Sequence, residues 1–430
     1  MEAVRVNSAN ATASGTISME EINKQIDLLA AQQAKRAKID GFRRGKVPVE
    51  VIKTRYKDSL QTESKQKSLE AFYAEAIKKL GLERTELIGE PLVAKFEESE
   101  AGLNLELKIG ITPEFSVEGV MGCLPSFELE SISDAQVEER LEKLAKDRAP
   151  LVDSTDTVLK DGHIANIDFE GFLDGKSFEG GKAEGFNLLI GSKQFVPGFE
   201  EALVGLSVGD EKTIEVVFPA DYKAPNLAGQ KVDFKVKLHA IKQKAEVSID
   251  EKLAKEILGD KEDSSLAALR EQLKKELEVE SRMKLYNDGL KEKALENIAN
   301  TFSFDLPENI LEQEMTVLFN NEVANLKQEE LEELKKDKEK AKALREAQRP
   351  KAETSVKVTF VVDKLAKQEN VSVEDKEVFQ TIYYESMMNG HNPQEVLEHY
   401  QKNNLLPAIK MALVEDRVIT HLLDKSKGLK

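Results

Sequence analysis

The hydrophobic and polar positions of residues 1–113 predict two long helices packed on a small antiparallel sheet. The first apolar stripe at helical spacing follows Ser18 and Glu21, which are placed to form a capping box. The first helix is expected to end near Lys38. The second is expected to begin at Pro48, to carry an apolar stripe over residues 69–80 and to end at Gly81. Apolar and polar residues then alternate around Gly102, which indicates a hairpin with one buried face. These elements predict an α+β domain.

The pattern changes twice beyond this domain. Residues 114–149 are predicted to form an extended connector followed by a charged helix from about Ser133. Residues 150–243 are rich in glycine, Phe and β-branched residues, and they predict a compact, mostly β domain. Glu, Lys, Leu and Ala then dominate, so residues 244–430 are predicted to be all-α. The expected fold class is a multidomain α+β protein.

Two segments of the helical part carry further predictions. Pro307 stands at the start of a helix that is followed by a second long helix, and the pair is predicted to form an arm. Residues 328–345 are highly charged, but their apolar positions keep helical register. We therefore predict helix there and not a disordered tail.

Composition narrows the class of protein. A chain of 430 residues exceeds what one hydrophobic core usually serves, so two or three domains are expected. The single cysteine, Cys123, excludes an intrachain disulfide and a Cys-based metal site, and the five histidines lack metal-ligand spacing. The N-terminus does not resemble a signal peptide, and no apolar run is long enough to span a bilayer. We expect a cytosolic protein with no membrane partner.

One short segment opposes the charge of the whole chain. The net charge is −17, yet residues 35–57 contain nine Lys or Arg against two acidic residues. The nine cations are Lys35, Arg36, Lys38, Arg43, Arg44, Lys46, Lys53, Arg55 and Lys57. A positive patch on an acidic protein steers toward polyanions. From composition alone, a solvated basic helix end is the competing interpretation.

The centre of this patch resembles a known signature. It reads Gly41-Phe42-Arg43-Arg44-Gly45-Lys46-Val47-Pro48. This sequence is similar to the ribosome-docking signature of bacterial trigger factors, as is the Ile52 and Arg55-Tyr56 helix that follows it. The resemblance implies a docking loop that contacts the large-subunit protein and RNA beside the ribosomal exit tunnel. Its contact residues would be Gly41, Phe42, Arg43, Arg44 and Lys46.

Residues 150–243 resemble FKBP-type prolyl isomerases. The matching pieces are residues 167–171, 174–179, 190–191, 195–200, 207–210, 218–222 and 232–236. The resemblance implies an apolar pocket for a substrate proline, lined by Phe169, Phe178, Phe186, Phe195, Val196, Phe199, Tyr222 and Phe234. Without the motifs, phenylalanines in a small β domain are more often simply its core.

The chemistry implied by this pocket needs no cofactor or metal. Rotation about an X-Pro bond breaks no covalent bond, and its barrier of roughly 18–20 kcal/mol comes from amide resonance. An apolar site favours the twisted amide, which has lost its charge separation, over the planar one. Phe199 stands where stand-alone FKBPs usually have Trp, and residues 223–225 lack the aromatic residue often found there. Isomerase activity is expected, and binding of drug-type ligands is not.

The order of docking domain, FKBP-like domain and helical C-terminus is similar to that of trigger factors over essentially the full chain. In that family the 114–149 connector belongs to the C-terminal body, whose two arms enclose nascent and unfolded polypeptides. The resemblance also allows a homodimer of the free protein. Flexible methionines suit such a surface, although each could equally pack between helices. The candidates are Met315, Met387, Met388 and Met411.

Two alternatives stay open at this point. The chain could be a dedicated isomerase whose helical flanks only dimerise it, or a nucleic-acid-binding or scaffolding protein that relies on its basic loop and charged helices. The net charge of −17 and the lack of any other basic segment argue against the scaffold. No glycine-rich phosphate loop is present, so the expected chaperone mechanism is independent of ATP.

Overall fold

The structure is a computed structural model of the chain. It describes residues 1–40, 42, 43, 45–99, 101–220, 222, 224, 226–245, 248–259 and 263–429, without the side chain of residue 179. These residues form two compact units, which are Met1–Glu128 together with Lys284–Lys430, and Leu129–Met283. The four-part division expected from the sequence follows other boundaries and stays a prediction.

The described residues contain nine strands and fifteen α-helices. The strands are β1 (Glu2–Arg5), β2 (Asn10–Ser18), β3 (Leu92–Ser99), β4 (Gly102–Gly110), β5 (Leu151–Asp153), β6 (Ile164–Leu173), β7 (Lys176–Leu189), β8 (Glu211–Val217) and β9 (Lys231–Lys244). The helices are α1 (Met19–Ala34), α2 (Val49–Arg55), α3 (Lys57–Leu80), α4 (Asp134–Arg148), α5 (Phe199–Leu203), α6 (Glu251–Leu258), α7 (Leu266–Leu285), α8 (Lys291–Thr301), α9 (Glu308–Ala324), α10 (Gln328–Lys336), α11 (Lys338–Glu346), α12 (Arg349–Glu369), α13 (Asp375–Met388), α14 (Pro393–Lys402) and α15 (Leu406–Ser426).

A four-stranded antiparallel sheet with the order β1-β2-β4-β3 begins the first unit. The predicted hairpin is present as β3 and β4, which pair antiparallel with one shift of register between Val93 and Lys95. A Cβ on Gly102 would lie 2.0 Å from the carbonyl oxygen of Ile17, and the residue has a φ of +141°. Only glycine is compatible with both constraints, so the close passage of the hairpin beside β2 depends on it.

The helices α1 and α3 cover one face of this sheet. The predicted capping box is confirmed, because Ser18 Oγ accepts from the Glu21 backbone N–H at 3.2 Å and Glu21 Oε2 accepts from the Ser18 N–H at 3.0 Å. Helix α1 ends at Ala34, four residues before the expected end near Lys38. The chain turns there because Ile39 enters the core, where it is only 6% exposed.

The core between this sheet and its helices is aliphatic apart from one aromatic ring. Its buried members are Ala11, Ala13, Ile17, Ile22, Phe72, Ala76, Leu103, Leu105, Leu107, Ile109 and Ile111. The second expected helix is divided at Tyr56 into α2 and α3, and Pro48 is the N-cap residue of α2 and not its first helical residue. The left-handed Gly81 ends α3, with a φ of +68°.

The C-terminal helices of the first unit are organised around α12. This helix packs against α8, α9 and α15, while α13 packs against α14 and α15. The charged segment is helical as predicted, although Asp337 interrupts it as the N-cap of α11. A break that the sequence did not reveal lies between α7 and α8, where Gly289 has a φ of +85°.

Helix α9 is docked on the N-terminal sheet of the same unit. The side-chain amide of Asn309 is buried and donates to the carbonyl oxygens of Ile88 at 2.8 Å and Glu90 at 2.9 Å. The side chain of Asn10 donates to the carbonyl of Leu306 at 2.8 Å and accepts from the N–H of Glu308 at 2.7 Å. These four hydrogen bonds join α9 to the N-terminal part of the unit, while the buried Oδ1 of Asn309 has no hydrogen-bond partner among the described residues.

The second unit is built on a five-stranded antiparallel sheet. Four strands follow the order β5-β9-β6-β7, and β8 pairs with β9. The turn at Asp174 and Gly175 joins β6 to β7, with φ values of +51° and +76°. Helix α5 lies on the apolar face of the sheet, and α4, α6 and α7 form a separate apolar cluster. Within the described ranges, every helix is too short or too polar to cross a membrane.

Candidate functional site

The basic loop between α1 and α2 is fixed at both of its ends. Ile39 and Val47 are 6% and 5% exposed and pack with Ile52 and Leu60 beneath the three N-terminal helices. Between these two buried residues, the side chain of Phe42 is 41% exposed. Because both ends of the loop are held in the core, the exposed position of Phe42 is set by the fold.

The backbone of the loop is closed by local hydrogen bonds. The N–H of Phe42 donates to the carbonyl of Ile39 at 3.1 Å, and the N–H of Lys46 donates to the carbonyl of Arg43 at 2.9 Å. Gly45 has a φ of +79°, which favours glycine at that turn. Gly41 and Arg44, which the sequence also assigns to this site, lie outside the described residues.

The cations of the segment are not equivalent. Arg43 and Lys46 are exposed and form no ion pair with another described residue. Lys53, in contrast, lies 2.6 Å from Asp27 and 3.0 Å from Glu50, and the hydrogen bonds that its ammonium group donates to these carboxylates raise its pKa. Of the described cations in residues 35–57, Lys53 is therefore the one whose charge is neutralised by carboxylates, and Arg43 and Lys46 remain available to a polyanion.

The second unit contains an aromatic cavity of 510 Å³. Six of the eight residues predicted to form the proline pocket line it, and these are Phe169, Phe178, Phe195, Val196, Tyr222 and Phe234. The structure thus brings together residues from β6, β7, β9 and two loops that are up to 65 positions apart in the chain, from Phe169 to Phe234.

The other two predicted residues stand behind the lining. Phe199 is fully buried and stacks on Phe195, with ring centroids 4.7 Å apart, so it forms the support beneath that ring. Phe186 is 37% exposed and contacts the edges of Phe169 and Phe195 at 5.9 and 5.6 Å. Phe169 packs edge-on against Phe195 and Phe234, an arrangement that aromatic rings favour.

Eight lining residues were not predicted. They are Gly180, Gly181, Gln194, Pro197, Phe218, Pro219, Ala224 and Leu227. Phe218 could have been found, because it stands in the matched segment 218–222 and continues the alternation of β8. Ala224 and Leu227 lie in an irregular segment, where periodicity gives no signal.

Two glycines, which have no side chain, leave the space that the ring of Phe178 occupies. A Cβ on Gly181 would lie 2.7 Å from that ring, and a Cβ on Gly171 would lie 2.7 Å from the rings of both Phe178 and Phe234. Real Cβ atoms do not approach that closely, so larger residues would displace the rings. The shape of the cavity therefore depends on small residues as well as on aromatic ones.

The lining sets the chemistry that is available. Aromatic and aliphatic groups dominate it, so a planar amide entering the cavity leaves water without meeting a charged partner. Among the described residues, no three His, Cys, Asp or Glu side chains are grouped closely enough to hold a metal ion. The cavity can bind an apolar ring and desolvate the bond beside it.

A third surface is found on α13, in the first unit. Its core-facing residues Val378, Ile382 and Ser386 are buried. Its other face forms what we call the α13 patch, made of Phe379, Tyr383, Tyr384, Met387 and Met388, whose exposed fractions are 39, 52, 67, 57 and 87%. Of the four methionines proposed from the sequence, these two are exposed, Met411 is half-buried and Met315 is fully buried in the core.

Comparison with known families covers nearly the whole chain. Residues 1–144 match the family described as "Bacterial trigger factor protein (TF)", and residues 265–424 match "Bacterial trigger factor protein (TF) C-terminus". Residues 155–239 match "FKBP-type peptidyl-prolyl cis-trans isomerase".

Individual relatives give the same result. The trigger factor of Helicobacter hepaticus is 47% identical over 422 residues, which is 98% of this chain and 95% of the relative. That of Wolinella succinogenes is 44% identical over 430 residues, which is 100% of both. A solved structure described as "Promiscuous Substrate Recognition in Folding and Assembly Activities of the Trigger Factor Chaperone" is similar with a TM-score of 0.53 at 21% identity. It covers 99% of this chain and 100% of its own, and this likeness concerns the fold.

Proposed function

Because the chain belongs to the trigger factor family, we propose that it docks at the ribosomal exit tunnel through its basic loop, shields nascent chains, and isomerises their X-Pro bonds in the aromatic cavity. The family assignment makes the protein a ribosome-associated chaperone with a ribosome-docking N-terminal domain and an FKBP-type peptidyl-prolyl isomerase domain. The residues, ribosomal components and client surface named below go further than that assignment.

The observation that carries the docking proposal is the exposure of Phe42 beside unpaired cations on a loop anchored by Ile39 and Val47. Phosphates of ribosomal RNA attract Arg43 and Lys46, and an apolar protein surface beside that RNA accepts the ring of Phe42. We assign Gly41 and Arg44 to the same contact from the signature. The partner is thus a large-subunit protein together with RNA at the tunnel exit.

In the isomerase step, the substrate proline ring enters the cavity between Phe169, Phe195 and Phe234. The surrounding rings exclude water from the X-Pro amide. Because the planar amide is stabilised by charge separation and the twisted one is not, desolvation raises the planar state more than the twisted state. Tyr222 and Val196 complete the wall, and Phe178 closes it at the side of β7. No atom of the protein forms a covalent bond with the substrate.

The α13 patch supports a role in shielding unfolded chains. Five large apolar side chains on one helix remain exposed, and two of them are flexible methionines that adapt to varied partners. Anchoring at the ribosome raises the effective concentration of the emerging chain, so weak contacts suffice. ATP plays no part in this cycle.

Three further statements belong to the proposal. The docking domain covers residues 1–113, the FKBP-like domain covers residues 150–243, and the chaperone body combines residues 114–149 with 244–430. The protein acts in the cytoplasm, partly on ribosomes. The free form dimerises, since an exposed patch such as that on α13 favours self-association in the absence of clients.

The isomerase proposal is tested in a refolding reaction limited by a prolyl bond. Phe195→Ala removes a lining ring and its stacking on Phe199, and it should lower kcat/KM by about tenfold or more. Phe172→Ala is the matched control, because that ring stands on the same sheet outside the cavity lining. Equal activity of the two variants would show that the cavity is not the site.

A further inference from the structure

One buried carboxylate stands directly beneath the wall of the aromatic cavity. Glu200 lies in α5, next to Phe199, and is only 5% exposed. Its Oε2 accepts the N–H groups of Gly191 at 2.9 Å and Lys193 at 3.0 Å. Its Oε1 accepts those of Gln194 at 2.9 Å and Phe195 at 3.2 Å, and the hydroxyl of Ser192 at 3.2 Å.

We propose that Glu200 is the positioning residue of the isomerase site, and that its carboxylate fixes residues 191–195 so that Phe195 and Val196 form the cavity wall. The inference rests on the proposed function of that cavity. The residue was not among the predicted site residues, because a Glu after an aromatic residue in a short helix is indistinguishable by pattern from an exposed one.

The geometry requires an acceptor with the capacity of a carboxylate. An ionised carboxyl group has about four lone-pair sites and no donor, and the five donors that converge on Glu200 share those sites, two at Oε2 and three at Oε1. Without it, the N–H groups of Gly191, Lys193 and Phe195 would lose their side-chain acceptor, and that of Gln194 would keep only a longer bond of 3.4 Å to Ser192 Oγ. A backbone donor that loses its acceptor is destabilising where it is shielded from water. The segment would then rearrange.

Backbone strain in residues 191–193 also indicates that the segment needs the hydrogen bonds to Glu200. Lys193 has a φ of +57°, an uncommon conformation for a residue with a side chain, and Gly191 has a φ of +88°. A Cβ on Gly191 would lie 2.2 Å from Asp161 Oδ1, so this position is sterically fixed as well. Bonds to Glu200 on both sides of Ser192 offset the cost of this conformation.

The protonation state of Glu200 agrees with such a role. Burial raises the pKa of its carboxyl group. The hydrogen bonds from the N–H groups of Lys193, Phe195, Gly191 and Gln194 together lower the pKa by more than burial raises it, so the net shift is downward. The group is therefore ionised at neutral pH in spite of its burial. It shares its surroundings with the carboxylates of Asp161 and Glu201 and the ammonium group of Lys193.

The test compares Glu200→Gln with Glu201→Gln in the full chain. Glu201 is the exposed neighbour, and its carboxylate accepts one N–H, from Gly198 at 3.0 Å. In Glu200→Gln, the NH₂ group of the new amide would face two or three N–H or O–H donors that need an acceptor. The segment would shift and displace Phe195, so kcat/KM should fall by about tenfold or more. The Glu201→Gln variant should stay within about twofold of the native protein.

A second readout does not depend on activity. In spectra of the isotope-labelled full chain, the amide signals of residues 191, 193, 194 and 195 should move upfield in Glu200→Gln, because their charge-assisted hydrogen bonds are lost. The same signals should stay in place in Glu201→Gln. Both activities are measured well below the unfolding temperature of each variant, so a loss of stability alone would leave kcat/KM unchanged.

Unchanged kcat/KM or unchanged amide signals in Glu200→Gln would overturn the inference. Should that variant not fold, Glu200→Asp retains the charge but withdraws it by one methylene, and it should give a smaller loss in both readouts. Failure of the proposed function is distinguishable, since it would appear as unaffected activity in Phe195→Ala while the Glu200→Gln amide signals still move.

Discussion

At the scale of single residues, the protein depends on a few groups that satisfy or neutralise their neighbours. Glu200 is the clearest case, since its one carboxylate accepts hydrogen bonds from four backbone N–H groups of residues 191–195. Lys53 is another, because two carboxylates remove it from the set of available cations. In both cases the hydrogen-bond and ion-pair partners decide what the side chain can do.

The first prediction concerns the pH dependence of Glu200. Its pKa is lower in the folded chain than in the unfolded one, so its charged form contributes stability that is fully present above the ordinary pKa of about 4.3. That contribution is lost as the pH falls through the lower, folded-state pKa. The side-chain carboxyl signal of Glu200 should accordingly have its titration midpoint below the ordinary pKa of Glu.

Asp161, Glu201 and Lys193 face the same segment, so the titration must be assigned to the Glu200 carbon itself. A midpoint at or above the ordinary Glu value would contradict the hydrogen-bonded geometry. The amide signals of residues 191–195 should change over the same pH range as the carboxyl signal.

Residue-scale prediction from the sequence worked where a motif fixed the order of side chains. Phe169, Phe195 and Phe234 line the cavity, and for the two on strands alternation determines which face each occupies. The role of Glu200 could not be foreseen, since its five donors converge only after the segment has adopted left-handed backbone at two positions. Leu227 was missed for a related reason, because it lies in an irregular turn.

At the scale of elements, the basic loop combines two buried anchors with an exposed tip. The second prediction separates its cations. Lys46→Gln should reduce the slope of ribosome affinity against salt by about 1, since one phosphate contact is lost. Lys53→Gln is the matched control and should leave the slope unchanged, because Asp27 and Glu50 already neutralise that ammonium group.

Binding measured by sedimentation at several salt concentrations gives both slopes. Equal salt slopes for Lys46→Gln and Lys53→Gln would mean that ion pairing of Lys53 does not change its contribution to ribosome binding. In that case the patch would act only through its total charge.

The third prediction concerns the docking of α9 on the N-terminal sheet. A Cβ on Gly110 would lie 2.1 Å from Asn309 Oδ1, and Asn309 cannot withdraw without losing its bonds to Ile88 and Glu90. Gly110→Ala should therefore lower the free energy of unfolding by about 1–3 kcal/mol. Urea unfolding of the full chain, followed by circular dichroism, measures the change.

Gly122→Ala is the control for this substitution. Nothing among the described residues lies within 4 Å of a Cβ at Gly122, and its φ is not positive, so stability should change by less than about 0.5 kcal/mol. A Gly110→Ala variant as stable as this control would show that helix and sheet are not closely packed in solution.

Elements were predictable where local signals are strong. The capping box at Ser18, the hairpin at Gly102 and the end of α3 at Gly81 each follow from residue chemistry close in sequence. The early end of α1 was not predictable, because it depends on the tertiary packing of Ile39. The break at Gly289 was not predictable either, because an isolated glycine within a helical pattern is usually tolerated.

At the scale of the whole molecule, two activities are assigned to different surfaces. The fourth prediction is their separation by point substitutions. Phe195→Ala should lose isomerase activity and retain suppression of aggregation of an unfolded client. A Tyr384→Ser and Met388→Ser double variant should do the reverse, because it removes the two most exposed members of the α13 patch.

The matched control is Val317→Ser, which replaces one exposed apolar residue on α9 outside the patch. Loss of both activities in either variant would favour the dedicated isomerase, in which the helical part has no surface of its own. Aggregation assays and proline-limited refolding provide the two readouts.

The order of domains was predictable from the sequence because composition shifts with each fold class, from amphipathic helix to β-rich segment to charged helix. The packing of α9 against the N-terminal sheet was not. That contact joins Asn309 to two backbone carbonyls that lie 221 and 219 positions earlier in the chain, and no local sequence pattern indicates it.

The most direct test of the account is sedimentation with ribosomes of the native chain and a Phe42→Ala, Arg43→Ala and Arg44→Ala triple variant. The native chain should bind saturably and with affinity that falls as salt rises, whereas the variant should remain in the supernatant with an unchanged circular dichroism spectrum. Equal sedimentation of both proteins, or of neither, would contradict docking through this loop.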